Sequence, residues 1–158
     1  MSTTSRELLR HTVATLAYRS RKILQGAPPE FATFKAAPRT RRPARILAHM
    51  GDLMGWALHM ADGEIVWQDS KPLPWDEEVA RFYAGVAALD GRLAMDEPLG
   101  YPPEKLFQGP LADAFWHLGQ LALLRGMVDA PIRGENYLVA DIEVGRVGPD
   151  QADPRREF

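Results

Sequence analysis

Proline and glycine punctuation divides this chain into four stretches of helical periodicity, and that pattern points to an all-α fold. Over residues 5–25, Leu9, Val13, Leu16, Ser20 and Ile23 recur three and four positions apart, as one face of a helix must. Gly26, Pro28 and Pro29 then end the helix, because a proline nitrogen has no hydrogen for the ladder. Pro43 opens a second helix over 44–61, halted by Asp62-Gly63. A third is expected over 76–95, with Asp76 as its cap, Glu77 and Glu78 at the positive end of its dipole, and Val79, Phe82, Val86, Leu89 and Leu93 as its apolar seam. The fourth is expected over 110–128, with Pro110 in its first turn.

Two long connections, GEIVWQDSKPLPW and DEPLGYPPE, separate helix two from three and three from four. Four amphipathic helices joined this way predict an antiparallel four-helix bundle with long crossover loops and an extended C-terminal tail. Residues 1–148 form one domain in this reading, and 149–158 (ending QADPRREF) are a loose end.

The 158 residues suffice for a core without staples. The absence of cysteine removes disulfides, thiolate zinc sites and cysteine nucleophiles, and places the chain in the cytoplasm by default. No run reaches the roughly 18 apolar residues of a membrane helix. The polar start MSTTSRELLRH lacks the apolar core of a secretion signal.

The net charge of -2 conceals an asymmetry. Arg10 to Arg45 carries nine Lys or Arg against one acid, Glu30, whereas Ile46 to Val128 carries twelve acids against five bases. Arg39, Arg41 and Arg42 fall in the loop before helix two. A solvated basic face is the first explanation, and a docking surface for an anionic small molecule is the second. No nucleic-acid-binding motif accompanies the charge, so no nucleic-acid partner is expected.

Helix four carries the strongest chemical signal. At about 100° per residue, Asp113, His117, Gln120 and Leu124 fall within roughly 60° of one another. A stripe facing water would hold Lys, Glu or Arg, and these are absent from it. Asp113 and His117, one turn apart, suit chelation of one ion from one helix face, although chance also produces such pairs. Helix two offers a third ligand in His49, which shares a face with Asp52, Trp56 and His59. Taken alone, His49 reads as a core histidine; opposite Asp113 and His117, it reads as a ligand.

Other polar and aromatic residues read as supports. Gln120 is placed to hydrogen-bond a ligand or to satisfy a backbone group. Asp52 is an exposed carboxylate or an orienting partner of His49, and Trp56 and Trp116 read as core before they read as pocket walls. His59, near a helix end, takes a structural role. Glu135 is a further ligand only if the tail folds over the site.

The segments ARILAHMGDLMGWAL and DAFWHLGQLALLR, with GENY beyond them, resemble the DinB-like superfamily of four-helix bundles, from helix one to Gly148. The resemblance implies a metal held by a helix-two histidine and a helix-four pair, which fall on His49, Asp113 and His117. Asp113 stands where the family usually has His. Two imidazoles and a carboxylate suit zinc, nickel, iron or manganese with open positions. By resemblance the function is a metal-dependent thiol-transferase or hydrolase-type enzyme acting on a small molecule such as a low-molecular-weight thiol. A homodimer is expected as well. The alternatives are a non-catalytic dimer holding a metal or small ligand, and a structural protein with a decayed site.

Overall fold

The computed structural model describes residues 4–158. The polar start at Met1–Thr3 lies outside the described residues. Helix α1 runs Ser5–Leu24, α2 Pro43–Ala61, α3 Trp75–Ala94, α4 Pro103–Leu106 and α5 Ala112–Met127. Among the described residues there is no strand, only a single antiparallel bridge between Glu135 and Glu157. The fold is all-α. No helix among them is long and apolar enough to cross a membrane.

The helix ends follow from local chemistry. Thr4 and Glu7 cap α1 reciprocally, each side chain bonded to the other's backbone N–H. Pro43 is the first residue of α2, and Gly63 leaves it at φ 87, a left-handed turn that suits glycine. Helix α3 departs from expectation by one residue: Pro74 is its cap, Trp75 opens it, and Asp76 sits in the first turn. There Glu78, rather than Asp76, accepts a free N–H, that of Leu73 at 2.9 Å.

The fourth helical segment departs further. It begins at Pro103, not at Pro110, so the starting proline is seven positions earlier than expected. Pro110 lies inside a π-helical turn, Phe107–Leu111, that joins α4 to α5. A proline within a regular helix lacks a donor and presses its ring on the carbonyl four residues back; the wider turn absorbs both problems.

The core is continuous across the long helices. Leu16, Leu47, Met50, Phe82, Leu89, Leu111 and Leu121 are completely buried. Helix α2 packs against α3 and α5, and α1 packs against the same two. Helices α2 and α3 approach closely where glycine permits it: a Cβ on Gly85 would stand 2.9 Å from Met54 Cβ, and one on Gly51 2.7 Å from Arg81 Nη2.

The C-terminal segment is tied down, which corrects the expectation of a loose end at 149–158. Asn136 N–H donates to the Arg156 carbonyl (3.0 Å), and Phe158 N–H to that of Gly134 (3.1 Å). From α1, Arg21 donates to the Gln151 and Ala152 carbonyls, and Lys22 pairs with Glu157. Buried Arg125 joins α5 to the end of α1 through the Ile23 and Gln25 carbonyls, and to the start of the tail through Ala130. These contacts offset the entropy that would otherwise free the segment.

Candidate metal centre

His49 lies in the second turn of α2, and Asp113 and His117 in the first two turns of α5. Because α2 and α5 are neighbours, the three side chains meet. His49 Nε2 is 3.3 Å from Asp113 Oδ2, and His117 Nε2 is 3.5 Å from the same oxygen. All three ligand atoms lie within 4.8 Å of one another. The imidazole centroids are 4.6 Å apart, with planes at 85°. Two ligands of a tetrahedral ion with bonds of about 2.0–2.2 Å stand roughly 3.3–3.6 Å apart. The two Asp113 separations match that edge, and the donors fit a borderline first-row ion.

Gln120 completes the arrangement from one turn beyond. Its Oε1 lies 2.9 Å from His117 Nδ1. In the tautomer in which Nδ1 donates to this amide oxygen, His117 Nε2 presents a lone pair toward the Asp113 carboxylate. In that tautomer two acceptors face each other at 3.5 Å, and a cation between them removes the repulsion.

Burial depresses the proton affinity of His49 below its ordinary value. The bond to Asp113 opposes that shift, and His117 and Arg41 reinforce it. Its neutral form, the form able to ligate, is therefore favoured.

The π turn ends two residues before Asp113. An extra residue in one turn rotates the downstream helix by about 100°, so the turn helps set which face of α5 meets α2. The residues open into a cleft of about 630 Å³, lined also by Arg39, Thr40, Arg41, Ile46, Gln120, Leu123 and Leu124.

Several supports differ from expectation. Asp52 is buried, not exposed, and does not touch His49: it accepts from Ser70 N–H (2.9 Å) and Oγ (2.6 Å) and pairs with Arg81 at 3.1 Å. That anchors the connection between α2 and α3 and holds Trp67 against His49, with centroids 5.4 Å apart. Trp67 in turn packs on half-buried Trp56 at 5.8 Å. Trp116 is not core; it is 72% exposed. His59 pairs with Glu64 at 3.0 Å and does not line the cleft. Glu135 is no ligand: buried beside α1, it accepts from Tyr18 and pairs with Lys22 at 2.8 Å. Trp67 escaped sequence reasoning as a site residue, and the basic run was read as an anion-docking surface without being joined to the three ligands, since only tertiary packing brings loops to the helices.

Comparison with protein-family models, curated proteins and solved structures gives no match.

Proposed function

We propose that the chain is a metal-dependent protein of the DinB-like kind, an antiparallel four-helix bundle that binds a divalent transition metal through His49, Asp113 and His117. The observation that carries this reading is the Asp113 oxygen flanked at 3.3 and 3.5 Å by imidazole nitrogens from two helices, with Gln120 Oε1 2.9 Å from the other nitrogen of His117. The metal, zinc, nickel, iron or manganese, supplies Lewis acidity, lowering the pKa of a bound thiol or water. His49 and His117 would hold it as neutral ligands, Asp113 would offset part of its charge, and Gln120 would keep His117 in the ligating tautomer. The activity supported best is of thiol-transferase or hydrolase type on a small molecule, with a low-molecular-weight thiol as the first candidate.

A second reading, a non-catalytic holder of metal or small ligand, is favoured by one observation. Among the described residues, the ionisable groups lining the cleft beyond the three ligands are Arg39 and Arg41, neither of which serves as a proton-transfer base. A homodimer accompanies both readings, because Trp116, Leu123 and Met127 expose an apolar stripe along α5. A cysteine-free chain of this kind suits the cytoplasm.

Metal analysis of protein purified without an affinity tag tests the centre. One equivalent of metal per chain is expected, and none for His117→Ala. Wild-type protein that takes up no divalent metal ends the reading. A thiol-conjugation screen on metal-loaded protein then separates enzyme from holder, and light scattering should give twice the 17.6 kDa of one chain.

A further inference from the structure

The basic run from Arg10 to Arg45 is largely engaged elsewhere. Arg10, Arg21, Lys22 and Arg45 pair with carboxylates. Arg19 lies over the Tyr137 ring, and Lys35 donates to the Thr40 carbonyl. Arg39, Arg41 and Arg42 remain, and among the described residues none of the three has an ion-pair partner. Two of them, Arg39 and Arg41, line the cleft that holds His49, Asp113 and His117; Arg42 does not.

Charge in the cleft is therefore unbalanced. The two arginines contribute +2 and Asp113 contributes −1, leaving +1 before any metal is counted. A divalent ion on two neutral imidazoles would raise the total to +3. An uncompensated charge of that size in a concave, partly apolar site selects an anion. The guanidinium fork matches the geometry of a carboxylate or phosphate and binds either through paired N–H donors. A cleft of about 630 Å³ has the size of a metabolite site, not of an extended surface. Ile46, Leu123 and Leu124 supply apolar wall beside the charged groups.

We propose that this cleft is an anion-selective substrate site: Arg39 and Arg41 take the carboxylate or phosphate of a small molecule whose other end reaches the His49–Asp113–His117 centre. The arginine contact stands on the cleft alone; only the second contact rests on the metal reading. The loop carrying the arginines thus sets which small molecules bind, and the helices present the group that activates them.

The test uses ¹⁵N-labelled full-length protein, metal-free and zinc-loaded, titrated with 3-mercaptopropionate, 2-mercaptoethanol and inorganic phosphate. On zinc-loaded protein, 3-mercaptopropionate should bind at least about tenfold more tightly than the uncharged thiol, the scale of a charge-assisted hydrogen bond. R39Q/R41Q should bring that ratio to within about twofold while holding zinc as wild type does, and R42Q should leave the ratio intact, because Arg42 is outside the cleft. Equal binding of the two thiols by wild type, or a preference that survives R39Q/R41Q, overturns the proposal. If zinc itself fails to bind, the metal reading falls, and the metal-free titrations decide the anion site. Signals of Thr40 that shift with the carboxylate or with phosphate in wild type, and not in R39Q/R41Q, sustain it; signals that move with neither anion, or move equally in R39Q/R41Q, end it. Relative response to the two anions identifies the preferred group.

Discussion

His49 Nε2 and Asp113 Oδ2 lie 3.3 Å apart although 64 positions separate them in the chain. His117 Nε2 approaches the same oxygen at 3.5 Å from one turn further along α5. A single carboxylate is thus held between imidazoles that α2 and α5 contribute separately. A cation bound among the three would link two helices and must then stabilise the fold. Zinc at about a hundred times its Kd should add about 2.7 kcal/mol to folding. In a chain of this length that is a rise in Tm of roughly 5–10 °C. His117→Ala should show no rise, and Asp113→Asn a smaller one, since an amide oxygen still ligates weakly. A wild-type Tm indifferent to both zinc and chelator would contradict the centre.

Gln120 acts through His117, and its removal should be felt in affinity more than in stability. Gln120→Leu keeps the shape but frees Nδ1 at 2.9 Å from the present acceptor. The imidazole then loses the partner that orients it, and metal affinity should fall about 10- to 100-fold. Competition against a chelator of known strength measures this. Gln120→Glu, which retains an acceptor, should recover most of the loss; a Leu variant with wild-type affinity would show that Gln120 has no positioning role.

The pH dependence follows from His49. Its folded-state value is depressed below 6.5, first by burial, so the unfolded chain binds the proton more readily than the folded one. Stability from this group is therefore fully present above about 6.5 and is lost as pH falls through the folded value. Urea midpoints of metal-free protein should drop on going from neutral to mildly acidic pH, and His49→Gln should flatten the drop. Metal affinity should fall over the same range, because protons compete for both imidazoles. A midpoint that rises on acidification in wild type but not in His49→Gln would reverse the sign and refute the assignment.

Asp52 anchors the α2–α3 connection and so holds Trp67 beside His49. Its side chain is 1% exposed and is shared between Ser70 and Arg81. Asp52→Ala leaves three half-buried donors without their acceptor, at a cost of about 2–4 kcal/mol. Calorimetry should record a Tm lower by roughly 5–15 °C. Asp52→Asn, which retains an acceptor but no charge, should fall between. An alanine variant as stable as wild type would mean that the Ser70 and Arg81 contacts contribute nothing net.

The part of this protein legible in its sequence was local. The face shared by Asp113, His117 and Gln120 depends only on helix geometry over two turns, and periodicity and proline stops predict α1 and α2 within a residue or so. Pro110 shows where this ends: sequence rules treat a proline as a first turn, but the chain enters its helix at Pro103 and absorbs Pro110 in a π turn. Burial was still less accessible. Asp52 reads as a surface carboxylate until Arg81 and Ser70 arrive from other elements, and Trp116 reads as core until the packing leaves it outside. The C-terminal residues show the same limit, since their partners on α1 lie far along the chain. A helix settles its own faces because its hydrogen bonds are made within a few residues. Which face meets which, and whether His49 reaches Asp113, is decided only when α2 and α5 pack on a common core.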